Sequence, residues 1–212
     1  MRGSSPEGST RRPARRMVPE RRREHLIETA LELYNRLPPE QVTVEDVTRA
    51  ADVSRALFYR YFANVGELHV AALGSVVEEL TGRITAPPGG TLVEQLRAAI
   101  DEFMAVVERH ASAYVALLRS GSVFATGRTD ALVDSVRHHI IDLLIERSGV
   151  TDPSPLVMAT LRGWVALAEG SSVAWIQQPM MSRDELLDWL TAQLPAMLAV
   201  TAQYEGSAAI MT

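Results

Sequence analysis

Three times along this chain a serine or threonine is followed three residues later by an acid and then by an apolar run. The segments are Thr43-Val-Glu-Asp46, Thr91-Leu-Val-Glu94 and Ser182-Arg-Asp-Glu185. In such a box the hydroxyl accepts the N–H of the acid, and the acid reaches back to the N–H of the hydroxyl residue. Each therefore marks the start of a helix. Apolar residues between the boxes recur at three and four residues, as in Leu26, Ile27, Ala30, Leu31 and Tyr34. Strand-like alternation never persists. Pro38-Pro39, Pro87-Pro88-Gly89-Gly90, Asp152-Pro153 and Pro179 interrupt the helical pattern,. The chain is expected to be all-α: a first helix from about Glu20, short helices over 43–51 and 54–61, and another from near Asn64 to about Arg83. Five more are expected, ending near Arg109, Ser120, Arg147, Gln177 and Gln203.

A core of useful size is possible at 212 residues with 47% hydrophobic side chains, and 22% charged residues is a globular value,. The absence of cysteine removes disulfides, thiolate metal sites and cysteine nucleophiles,. No apolar run is long enough to cross a bilayer, so a cytoplasmic location and no membrane partner are expected. All 21 basic residues are arginine, and seven lie between Arg11 and Arg23. Residues 1–70 carry a net charge of +2 and residues 71–212 a net charge of −7. Only the N-terminal end suits a polyanion. Three parts follow: a disordered basic arm at 1–19, a small domain at 20–70 and a larger helical domain at 71–212.

The stretch from Thr43 to Leu68 carries the most function. Val47, Ala51, Val53, Phe58 and Phe62 supply a buried seam for two short helices crossing at the Asp52-Val53 turn. Arg55, Ala56, Leu57, Tyr59 and Arg60 are left on outer or flanking faces. A second helix bare on one side is what a helix-turn-helix needs to place side chains against base edges in a major groove. Arg55, near the start of that helix, is the candidate for a guanine edge. Thr43, whose helix would aim its positive end at a phosphate, is a backbone candidate with Ser54 and Tyr61. Leu57 either meets a thymine methyl or packs against the adjoining helix.

Residues 21–70 resemble the N-terminal domain of the TetR family of bacterial transcriptional regulators. The residues that carry the resemblance are Ala51-Asp52-Val53-Ser54 and Tyr59-Arg60-Tyr61-Phe62, with Leu68 downstream. Asp52 stands at a usual glycine, Thr48 at a usual alanine and Pro38-Pro39 at a usual glycine-containing loop. Val65 stands where many members carry a phosphate-contacting lysine. The resemblance implies a repressor that binds a pseudo-palindromic double-stranded DNA operator as a homodimer, with Tyr59 at the DNA surface and release by a small effector.

The larger domain contains no phosphate loop, zinc-protease motif or nucleophile elbow, so neither an enzyme nor a cofactor is expected. His138 and His139 are adjacent and diverge on a helix, so no metal site is expected. In the last two helices Gly163, Gly170 and Ala174 form a small-residue stripe, and Leu186, Leu190, Leu194 and Leu198 recur every four residues. The resemblance implies that these helices pair with those of a second subunit; an intrachain core would leave the same pattern. Arg162 and Glu169 share a helix face, as an ionic cluster or with Glu169 facing a cationic ligand. Phe103, Met104, Tyr114, Phe124, Met158 and Trp164 are expected around an effector cavity, as the resemblance implies, and the acidic domain favours a lipophilic neutral or cationic ligand. A ligand-blind DNA-binding protein acting through a protein partner is the alternative.

Overall fold

Proline at a first helical turn costs no hydrogen bond, and Pro19 opens α1 (Pro19–Tyr34) in that way,. The computed structural model describes residues 18–85, 89–118 and 127–210. The 1–19 arm lies almost wholly outside them. A short 3-10 turn, Pro39–Gln41, occupies the proline stretch that the sequence marks only as a stop. Thr43 then caps α2 (Val44–Ala50) with the full reciprocal box to Asp46. Asp52 supplies the left-handed turn with a φ of 51°, a conformation that an aspartate tolerates better than most side chains. The Val53 N–H reaches back to the Thr48 carbonyl and closes the end of α2,. Ser54 accepts the Leu57 N–H and starts α3 (Arg55–Tyr61). The Asn64 side chain accepts from the Glu67 N–H, Glu67 accepts from the Ala63 N–H, and α4 (Val65–Thr85) begins.

These four helices close on one core. Leu26, Ala30, Tyr34, Val47, Phe58, Phe62 and Leu68 in it are 1% exposed or less. The larger of these side chains each contribute about 1.5–3 kcal/mol by leaving water. Helix α4 runs on out of this core and packs against α5 (Leu92–Arg109) and α7 (Gly127–Ser148). Between them α6 (Ala111–Leu118) touches α1 and the 3-10 turn. Helices α8 (Pro155–Gln177) and α9 (Arg183–Ile210) pack side by side. Ser154 caps α8, and Ser182 and Glu185 form the third box, so all three boxes act as caps. Helix α9 runs past Gln203, where the sequence pattern ends it, and contains Pro195, which removes one ladder bond without stopping it,.

The leucine stripe of α9 corrects an expectation. Leu186, Leu190 and Leu194 are at most 6% exposed within the single chain, packed with Trp164, Val165 and Met104. They face inward because the Trp164 indole N–H donates 3.1 Å to the Leu190 carbonyl and holds α8 against that side. They are core residues of the single chain.

Candidate functional site

The first face of interest is the outer side of α3. Arg55, Ala56, Tyr59 and Arg60 are exposed there, with Ser54 at its start. Phe58 and Phe62 turn inward, and Tyr59 stands edge-on to Phe58 with ring centroids 5.5 Å apart. Leu57 is half-buried, and Tyr61 is half-buried against the core cluster. The sequence left Leu57 between a base contact and packing and made Tyr61 a phosphate candidate; the structure puts both at the margin of the face. Two acids that sequence reasoning did not assign to this surface, Glu45 and the capping acid Asp46, share it. Glu45 holds the Arg55 guanidinium at 2.6 Å, and Asp46 accepts from both the Thr43 N–H and the Thr43 hydroxyl. Those two hydrogen bonds lower the Asp46 pKa, with Arg49 adding to the effect. An incoming phosphate at the start of α2 therefore meets carboxylates as well as the helix dipole. The only advance signal for Glu45 was its place in the first turn of α2, across the turn from Arg55.

Farther along α4, an ionic lattice joins it to α5. Glu79 receives Arg83 at 3.1 Å and Arg109 at a shorter distance, and Arg83 also reaches Glu102 at 2.9 Å. His110 Nε2 stands 3.4 Å from the same Glu79. The His69 imidazole is buried beside Tyr34, ring centroids 5.6 Å apart, and burial pushes its pKa down to about 4. Histidine and tyrosine are thus part of the packing between α1 and α4.

The second feature is a cavity of about 730 Å³ enclosed by α4, α5, α7 and α8, with α6 and α9 at its ends. Its walls are almost wholly apolar. Four of the residues expected around it line it: Phe103, Tyr114, Trp164 and Glu169. Phe103 and Tyr114 meet edge-to-face at 5.9 Å. Met104 and Met158 do not line it. Met104 is fully buried and accepts from the Ser172 hydroxyl, and Met158 packs on the α8–α9 core cluster. Their helical register turns them to the other side of α5 and α8. Phe124 lies outside the described residues.

Glu169 also departs from expectation. Its carboxylate takes three N–H contacts from Arg137, at 2.8, 3.0 and 3.2 Å, so Arg137 on α7, and not Arg162, is its partner. Arg162 is exposed. Tyr114, near this pair, has its phenol pKa raised by burial and further by Glu169, so it keeps its proton. Its hydroxyl is covered and has no hydrogen-bond partner among the described residues. His139 Nε2 meets the Thr85 hydroxyl at 2.9 Å, and His138 Nδ1 lies 2.7 Å from the Asp134 carbonyl oxygen. No helix among the described residues is long and apolar enough to cross a membrane.

A bare second helix on a small closed core, joined to a hollow helical bundle, defines a helix-turn-helix DNA-binding protein. Residues 26–72 match the family model for bacterial regulatory proteins of the TetR family, and residues 92–197 match that for the tetracyclin repressor-like C-terminal domain. A TetR-family transcriptional regulator from Streptomyces coelicolor shares 33% identity over 89% of this chain and 85% of its own, with a TM-score of 0.84. The fold is shared with a transcriptional regulator from Rhodococcus sp. RHA1, at 20% identity, covering 84% of this chain and 96% of its own with a TM-score of 0.67. It is shared too with LfrR from Mycobacterium smegmatis, solved with proflavine, at 19% identity, 84% and 96% coverage and a TM-score of 0.60. None of the curated proteins matches the sequence. The chain belongs to the TetR family of transcriptional regulators.

Proposed function

We propose that this regulator is a homodimeric repressor that leaves its operator when a small lipophilic molecule fills the cavity. The position of α6 carries the reading. Ala113 sits in the core of the DNA-binding domain, while His110 and Tyr114 beside it line the cavity. Anything that repacks the cavity wall around α6 is transmitted to the seat of α1. An effector acts by binding the operator-competent and released arrangements with different affinity, and no other route shifts the balance.

Arg55, Tyr59 and Arg60 read and grip the DNA in this scheme, with Ser54, Ala56, Leu57 and Tyr61 at the edges and Thr43 near the backbone. A dimer would set two α3 helices one DNA turn apart, about 34 Å. Its seam is the outer side of α8 and α9, where Gly163, Gly170 and Ala174 are exposed beside Trp189, Ala192 and Val200. A Cβ added at Gly170 meets nothing within 4 Å in the single chain. Gly170→Leu should therefore fold normally yet separate dimers in light scattering and weaken operator binding with them; an unchanged dimer places the seam elsewhere. Arg55→Ala should cost the selected operator about 1–3 kcal/mol while sparing non-specific binding. The effector reading is tested by titrating hydrophobic compounds against tryptophan emission and operator release together. Saturable binding with no change in DNA affinity would refute it.

A further inference from the structure

The shape and charge of the cavity say more about its occupant than its apolar wall alone. Its lining on α5 runs from Leu92 to His110, and on α8 from Val157 to Glu169. At 1.5 Å per residue these are spans of about 27 and 18 Å, so the space is a tube lying along the helices. One end adjoins the DNA-binding domain, at Leu73, Ala113 and Tyr114. The other opens between the start of α5 and the α7–α8 connection, where Leu92, Val93 and Val150 line the cavity and are 52%, 53% and 44% exposed. Large apolar side chains exposed around an opening are a lip, not a surface accident.

The two ends differ electrically. At the inner end the Glu169 charge is matched by Arg137 and His110 already faces Glu79. Tyr114 presents ring rather than hydroxyl. Among the described residues no unmatched charge is left there, and an ionised group arriving from water would lose its hydration for nothing. At the rim both signs occur. Arg147 donates to the Ile84 and Thr85 carbonyls at 3.0 and 3.3 Å, Glu205 accepts the Ser154 hydroxyl, and Asp152 lines the same end. A mixed-sign rim favours a head that both donates and accepts hydrogen bonds over one with a net charge.

We infer that the effector is an uncharged single-chain amphiphile, its tail lying along α5 towards Tyr114 and its polar head at the Arg147–Asp152–Glu205 rim. This rests on the effector reading above and specifies its chemistry. Each methylene drawn into the tube should tighten binding about fourfold, the equivalent of about 0.8 kcal/mol. The gain should stop once the tail reaches the Tyr114 end. Ala99 lines the tube seven residues in from Leu92, about 10 Å along α5,. A larger side chain there should end the gain sooner while leaving short chains unaffected.

The experiment titrates the full chain, by tryptophan emission and by operator release, with 1-monoacylglycerols of increasing chain length below their micelle concentrations. Carboxylates and alkyltrimethylammonium ions of the same chain length and a compact tricyclic dye run beside them. The expected result is a rising ladder with a plateau, monoacylglycerol tighter than either charged analogue, and a plateau at shorter chains in Ala99→Trp. Ala99→Leu is the milder plug should the tryptophan prevent folding. Binding independent of chain length, tighter binding of a charged analogue, or a plateau that ignores both plugs would overturn the inference. A ladder without operator release leaves the amphiphile assignment standing and refutes the switch. Release by the dye alone does the reverse.

Discussion

The two halves of the molecule use their apolar residues in opposite ways. In the DNA-binding domain Phe58, Phe62 and Tyr34 fill the space between short helices, and nothing in their core is more than 7% exposed. In the larger domain Phe103, Trp164 and a row of valines and leucines are arranged around about 730 Å³ of open volume. The first half must hold a face rigid to within a side chain's width; the second must have room for something else. Stability and vacancy are separated along the sequence, with α4 and α6 common to both.

The sharpest way to break that contrast is truncation. Phe58→Ala, in the filled core, should cost about 3–5 kcal/mol in urea denaturation and abolish operator binding. Val136→Ala, in the cavity wall, should cost only about 1 kcal/mol because its neighbours already face open space. Equal costs would mean that the two cores are packed alike.

Acid should find the first half before the second. His69 is buried near Tyr34 with a folded pKa of about 4, below its ordinary value of 6.5. The unfolded chain therefore binds the proton first. Its contribution is fully present above pH 6.5 and is lost as the pH falls towards 4, at up to about 1.4 kcal/mol per pH unit. Denaturation midpoints against pH should slope through that window in the parent and flatten in His69→Leu. A flat parent profile would remove the acid-sensitive centre from this domain.

The smallest effects separate the two halves' ion pairs. Arg137→Leu leaves the largely buried Glu169 carboxylate unmatched and should cost about 2 kcal/mol, most of it recovered in Arg137→Leu/Glu169→Leu,. Arg55→Ala breaks an equally short pair with Glu45, yet both partners are about half exposed, so stability should move by less than about 0.5 kcal/mol while operator affinity falls,. Comparable stability losses from both would erase the distinction between a structural and a functional arginine.

Local chemistry made the first half legible. Caps, a turn residue and aromatic spacing act over three to eight residues, so the roles of Thr43, Ser54, Asp52 and Phe58 follow from their near neighbours in the chain. The larger domain was legible only as a set of helices. Whether Leu190 faces its own chain or another depends on where α8 lies, which no local pattern states. Met104 and Phe103 are neighbours of similar hydrophobicity, and only the rotation of α5 sends one to the core and the other to the cavity. The Arg137–Glu169 pair spans 32 residues and two helices. The TetR resemblance implied a cavity lined by Phe103, Tyr114 and Trp164, but it also implied Met104 and Met158, which turn away from it.

Pro195 gives α9 a joint. Without its N–H the helix loses the bond to the Thr191 carbonyl, between the half locked by Leu186–Leu194 and the half that carries Leu198 and Glu205 to the mouth of the cavity,. The outer half, tied to α8 through Glu205–Ser154 and Thr201–Thr160, can flex about this point while the inner half stays packed. Backbone amides beyond Pro195 should exchange with solvent deuterium sooner than those before it. The tempo of that breathing, more than the depth of the cavity, would set how long a bound molecule stays.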